Sequence, residues 1–395
     1  MFTQFHHVIA AVALIIPAAS VQNPTNTTGT AGLATPGPDS NGFYVISSEG
    51  IRANFVPYGS AVSNLFKLDL VVGFDKATAY TEGIHAHLGS VPGRYYGRIK
   101  NSSFDVDGTT YHVLPNENND NDTLHGGPDG WDYRNWTVVA HTTDSVKFSL
   151  IDPAGMQGFP GEIICYVTYT LTPYRWFMRM VAMATTKKTP IMLSSHTYWN
   201  LDGFRNPNTA EILNHTFYVP EGGQRLDIDN IEVPNGEVLS NPKYSVWDFW
   251  SSPKQIGSNI TSPDLTGGCG YSCTGYDTPF IINSDQLGPY DWRQTPLSTI
   301  SSNFSGIELN IYSNQQLFQM YTCNVMDGTF PLKKTQGFFN DSSHPCVVEK
   351  FGCVVLDVAD WLDGINHPEW KRKQIYGPDS EPYVLEAIYD FSVNK

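Results

Sequence analysis

From Phe43 onward the chain is written in short alternating segments that leave no room for a long helix. FYVISS, IRANFVPYG, SVKFSLI, EIICYVTYTLT, WFMRMVAMAT, GIELNIYS and FQMYTCNV each alternate in character and are broken off by Gly, Asn, Asp or Pro. A period of two sends successive side chains to opposite faces, so each segment predicts a half-buried strand. There are no heptads and no amphipathic stretch longer than about two helical turns. The prediction is an all-β fold, one large antiparallel β-sandwich or barrel with few short helices. No composition break after Phe43 marks a second domain, so residues 43–395 are expected to form one unit.

Composition agrees. Of 395 residues, 13% are aromatic and only 16% charged, with 34 Gly and 26 Pro to make turns. A net charge of −15 excludes a basic surface for phosphate backbones, so no nucleic-acid partner is expected. Val8 to Pro17 (VIAAVALIIP) is an apolar run too short to span a bilayer, and Ala18, Ala19 and Ser20 follow it. Residues 1–20 therefore read as a secretory signal peptide, and 21–42 as a flexible Pro/Gly/Thr-rich linker. Asn-x-Ser/Thr sequons at Asn26, Asn101, Asn121, Asn135, Asn214, Asn259, Asn303 and Asn340 point the same way, to a secreted, extracellular glycoprotein without a membrane partner. Six cysteines suit an oxidising compartment and leave their pairing open. Cys269 and Cys273, in GGCGYSCTGY, would close a small disulfide loop; zinc is the rival for that spacing, but it needs further ligands nearby and none appears.

Four stretches carry side chains suited to chemistry. Between Gly93 and Trp136, GRYYGRI supplies Arg98 and TLHGG supplies His125. Gly126 and Gly127 remove side chains beside that imidazole, which suggests room for a polar ligand against the backbone. Arg and His both donate hydrogen bonds and suit a neutral, hydroxyl-rich molecule. SSHTYWNLDGF places His196 beside a turn, and GYDTPFI places Asp277 between aromatics. In GCVVLDVADWLDGINHPEW an apolar strand delivers Asp357, with Asp360 and Asp363 following. A carboxylate at the end of a buried strand is desolvated, as a general base requires. Taken singly, each also fits a plain structural role as a core histidine, a turn aspartate or a cap. Taken together they match acid/base work on a sugar, with no metal, no cofactor and no nucleophile elbow.

These segments, in order, resemble the aldose 1-epimerases (galactose mutarotases). The likeness runs through FVPYGSAVSNLF, VVGFD, GRYYGRI (against GR-x-x-x-RI), TLHGG, SSHTYWNLDGF (against NHSYFNL), GYDTPF, QMYTCN (against QFYTGN) and LDGINHPEW (against PDA-x-N-x-P). It implies a large β-sandwich of antiparallel sheets, the galactose mutarotase supersandwich, with a small-molecule sugar in an open cleft of a monomer. It further implies that Arg98 and Asp277 bind sugar hydroxyls and that His125 binds beside the ring oxygen. His196 would be the acid that protonates that oxygen, and a base at the end of a strand would take the C1 hydroxyl proton. The family's base is Glu; here the position holds Asp357, one methylene shorter and retracted by roughly 1 Å. Asp360 is the stand-in to consider, whereas Glu349 does not align. Cys323 stands where the family often has Gly, and a disulfide from it to Cys346 or Cys353 near the cleft is expected. The expected activity is anomer interconversion of free hexoses such as galactose and glucose. The alternative is a carbohydrate-binding relative with weak turnover. A hydrolase pairing Asp357 with Asp277 is disfavoured by the motif order, and a phosphorylated substrate by the lack of a basic cluster.

Overall fold

The computed structural model describes residues 36–65, 68–83, 87–271, 273–282, 292–339 and 341–393. The expected signal peptide, residues 21–35 of the expected linker, and the sequons at Asn26 and Asn340 lie outside the described residues. The remainder belongs to one compact unit, Thr35–Lys395. Ahead of Phe43 the chain is already engaged: the Pro36 carbonyl accepts from His141, and the Asp39 carboxylate accepts the amides of Asn41 and Phe43.

Two antiparallel sheets dominate the described residues, accompanied by a three-stranded sheet (Tyr44–Ser48, Ile51–Val56, Ala61–Leu65) and four two-stranded ones. The larger has nine strands, with Ile163–Thr172, Arg175–Ala184 and Tyr383–Val393 at its middle. Alternation is plain in Ile163–Thr172, where Ile163, Cys165, Val167, Tyr169 and Leu171 are buried and the intervening residues are half-buried or exposed. The smaller sheet has six strands, ordered Tyr198–Trp199, Val354–Ala359, Leu317–Tyr321, Asp277–Ile281, Gln224–Ile228 and Pro234–Ser240. Trp176 stacks on Tyr389 at 4.7 Å, and Trp199 stacks on the same ring at 5.7 Å. Burying side chains of this size contributes about 1.5–3 kcal/mol each, which makes the intersheet layer the main stabilising feature.

The strand expectation holds, and so does the shortage of helix. The helical pieces among the described residues are 3-10 turns of three or four residues. Cys269 pairs with Cys273, so the small loop is a disulfide rather than a metal site. Of the two partners considered for Cys323, Cys353 is the one bonded, and Cys346 is an exposed thiol. Asn101, Asn121, Asn135, Asn214 and Asn303 are exposed, and Asn259 is half-buried.

Candidate active site

The inner strands of the six-stranded sheet are buried on both faces, and their pleat decides which residues meet the core and which meet a cleft. On Val354–Ala359, the side chains of Val354, Leu356 and Val358 join the intersheet core. Val355 and Asp357 therefore face the other way and line a cleft of 480 Å³. Phe318 and Met320 turn inward on the neighbouring strand, which sends Gln319 and Tyr321 to the same cleft. Register completes the floor: Gln319 sits opposite Asp357, and Tyr321 sits opposite both Val355 and Asp277. Residues opposite one another on one face have Cβ atoms about 5 Å apart, so this floor is a tight patch of polar groups.

Loops raise the walls. Arg98 begins a short strand, Arg98–Ile99, paired with Thr123–Leu124, which delivers His125. His125 itself has φ +53, and the two glycines after it have φ +90 and +98. A Cβ on Gly126 would lie 2.0 Å from the Gly93 carbonyl oxygen, and one on Gly127 would lie 2.9 Å from Gln157 Oε1. The glycines thus admit protein, not ligand, and the suggested open backbone beside the imidazole is filled by the Gly93 turn. That turn is fastened by Arg94, fully buried, which donates through Nε and Nη2 to Asp152 at 2.8 and 2.6 Å and through Nη1 to the carbonyls of Pro160 and Gly161. Arg94 is a structural arginine; Arg98, four residues on, lines the cleft.

Three imidazoles meet on one wall. The His125 ring lies 5.1 Å from that of His196, and the His87 ring lies 4.8 Å from His125 and 5.7 Å from His196. Each is oriented differently. His125 accepts the Gly97 amide proton on Nδ1 at 3.1 Å and stacks on Tyr96, which leaves Nε2 as its N–H donor. His87 hydrogen-bonds through Nδ1 to Asp132, a carboxylate with no exposure. His196 directs Nε2 toward Asp357, with 3.9 Å between Nε2 and Oδ2.

Desolvation governs the electrostatics. Burial pushes the Asp357 carboxyl well above the usual carboxylate range; the Tyr96 phenol pulls it back, and the charge of Asp277 adds to the rise. Among the described residues neither of its oxygens has a geometrically sound hydrogen bond, so Tyr96 is a neighbour rather than a firm partner. Burial, then the charge of His87, hold His196 well below the ordinary imidazole range. Isolated charges are thus disfavoured on both groups, whereas ionising both together creates an attraction across 3.9 Å. The two groups are therefore coupled, and the charge on one depends on the charge on the other. Burial likewise lowers His125, reinforced by the charges of His87, His196 and Arg98.

The opposite wall is acidic. Arg98 donates Nε and Nη2 to the two oxygens of Glu117 at 2.6 and 2.9 Å, and Nη2 also meets Glu232 at 2.5 Å. Burial would lower its pKa, but the carboxylates of Glu232 and Glu117 outweigh it and hold the guanidinium firmly charged. Asp277 accepts from Gln319 Nε2, and burial followed by the charge of Glu232 pushes its carboxyl well up.

The cleft therefore gathers Arg98, His125, His196, Asp277 and Asp357 from positions spread over more than half of the chain. Asp360 is not among them. It is tied to Arg372 at 2.6 Å and lies outside the cleft lining, so it cannot stand in for Asp357. Asp363 is buried elsewhere, accepting from the Lys100 amide and Asn366. His87, Tyr96, Glu117, Glu232 and Gln319 also line the cleft and belong to none of the candidates expected from sequence. Gln319 alone carried a signal, a polar residue among the apolar neighbours of LFQMY.

Residues 43–357 match the family model for aldose 1-epimerase. A probable aldose 1-epimerase of Arthroderma benhamiae is 37% identical over 386 residues, covering 89% of this chain and 86% of that protein. Human galactose mutarotase is 28% identical over 357 residues, covering 89% and 94% respectively. Among solved structures, a GalM/aldose epimerase homologue from C. elegans superposes with a TM-score of 0.74 at 26% identity, covering 90% of this chain and 99% of its own. With the fold, the cleft and its histidine–carboxylate pair in place, these likenesses establish that the chain belongs to the aldose 1-epimerase family, isomerases acting on carbohydrates.

Proposed function

We propose that the protein interconverts the α and β anomers of free hexoses. One observation carries the reading: His196 and Asp357 stand 3.9 Å apart in the cleft, both buried. Mutarotation needs a proton delivered to the ring oxygen and another removed from the C1 hydroxyl. In this reading the charged form of the pair acts. His196 gives its proton to the ring oxygen, and Asp357 accepts that of the C1 hydroxyl. The C1–O5 bond breaks as the carbonyl forms, and the chain rotates about C1–C2. Reclosure on the other carbonyl face reverses both transfers. The Nε2–H of His125 donates to the sugar beside the ring oxygen, and Arg98 and Asp277 hold hydroxyls across the cleft. All transfers are of protons, and the protein's own side chains supply them.

The one-methylene retraction of Asp357 relative to the family's Glu favours a second reading, a sugar-binding relative with slow turnover. Polarimetry of freshly dissolved α-D-galactose and α-D-glucose separates the two. Asp357→Asn is expected to lower kcat by about 10²–10⁴-fold while sugar binding persists. No acceleration by the unaltered protein, with saturable binding intact, would establish the binding reading instead. We further propose that the protein is a secreted, monomeric glycoprotein. The apolar segment 8–17, the sequons and the two disulfides support secretion, and a site built from one chain is consistent with a monomer.

A further inference from the structure

The acidic wall offers a bound sugar more hydrogen-bond acceptors than donors. Its cation, Arg98, already commits Nε and Nη2 to Glu117 and Glu232. Gln319 uses its amide N–H on Asp277, which leaves its Oε1 buried and unpartnered among the described residues. Both oxygens of Asp357, opposite Gln319 in register, are buried and unpartnered as well. Acceptors outnumber donors throughout this corner.

The charge count points the same way. Arg98 brings one positive charge against two negative charges from Glu117 and Glu232, before Asp277 is counted. One negative charge is left uncompensated inside a cleft. A hydroxyl offers one donor and two acceptors, whereas an ammonium offers three donors, no acceptor and a positive charge. Placement narrows the position on the sugar. Gln319 is the direct cross-strand neighbour of Asp357, the group assigned to the C1 hydroxyl, so the acceptor-rich corner lies beside C1. C2 carries the substituent that reaches it.

We propose that the preferred substrate is a 2-amino-2-deoxyhexose with a free, protonated amine, seated with its ammonium against Glu232, Asp277 and Gln319. The proposal rests on the epimerase reading of the same cleft. N-acetylation removes both the charge and the surplus donors, and a uronic acid adds a repelled charge; both are poor substrates.

The test is anomer exchange followed by polarimetry in mildly acidic buffer, where the amine is protonated. D-galactosamine and D-glucosamine are compared with D-galactose and D-glucose, with the N-acetyl forms, and with D-galacturonate. The amino sugars are expected to exceed their parent sugars in kcat/KM by about tenfold, mostly through KM. In Glu232→Gln, and separately in Glu117→Gln, the ratio of amino sugar to parent sugar is expected to fall toward unity. The ratio is taken within each variant, so partial loss of folded protein cancels. Amino sugars at or below their parents, or a ratio unmoved in both variants, would overturn the proposal while leaving the epimerase reading standing. If no sugar is turned over, the epimerase reading fails, and calorimetric titration with galactosamine against galactose decides. Tighter binding of the amine supports the corner's assignment, and equal binding overturns it.

Discussion

The amide of Gly97 donates a hydrogen bond to Nδ1 of His125 at 3.1 Å. An imidazole nitrogen that accepts cannot also carry a proton, so this contact fixes both tautomer and charge. His125 is expected to remain neutral with its proton on Nε2 from about pH 5 to about pH 8, since burial and the neighbouring charges also oppose protonation. Nitrogen-15 NMR of the imidazoles checks this. A His125 that titrates in that range would remove it from the role of fixed donor.

His87 stands 5.7 Å from His196, and its charge lowers the His196 pKa. His87→Phe keeps a ring in the space and removes the charge. The limb of the pH–rate profile governed by His196 is expected to move to higher pH, with KM changing less than kcat. A profile that only scales down, without moving, would make His87 a packing residue.

Gly126 combines φ +90 with a Cβ position 2.0 Å from the Gly93 carbonyl oxygen. Gly126→Ala must therefore both strain its own backbone and push the Gly93 turn, which also carries Trp131 through an amide hydrogen bond of 2.9 Å. The expected cost is about 2–4 kcal/mol, read by denaturant unfolding, with activity lost in the folded fraction because His125 is displaced. An alanine variant of wild-type stability would contradict the geometry.

Asp363 is fully buried, and burial raises its pKa from 3.8 to about 7, against the opposing pull of Asn366 and the Lys100 amide. An acid whose folded pKa is raised stabilises the fold fully below its unfolded value. That stability is then lost as pH rises through the folded pKa. The window is from about 3.8 to about 7, and the loss is at most roughly 4 kcal/mol. Asp363→Asn keeps an acceptor for the Lys100 amide and cannot ionise. Relative to the unaltered protein it is expected to gain stability between about pH 4 and about pH 8. Parallel pH dependence in the two proteins would show that Asp363 does not titrate in this window.

The strands were legible because a period of two survives in sequence wherever one face meets a core, as in Ile163–Thr172. His196 and His125 were legible as well, each lying beside a turn with a recognisable pattern. Glu117 and Glu232 were not. They lie among Asn and Asp in NENNDNDT and NIEVPNG, where an acidic residue reads as turn chemistry. What brings both to Arg98 is a loop path, and no local periodicity records it. His87 was hidden for a related reason: its partner Asp132 lies 45 positions away in a 3-10 turn. The role expected of Gly126 and Gly127 was misread because glycine signals close approach without saying what approaches.

Asp357 and Gln319 belong to strands with packed side chains on both faces, so their spacing is set by the core beneath them. Glu117 and Glu232 hang on connecting segments above that floor. Substitutions in these connections can change which sugar is admitted without shifting the atoms that move protons. In such a molecule, selectivity can drift over generations while the reaction stays the same.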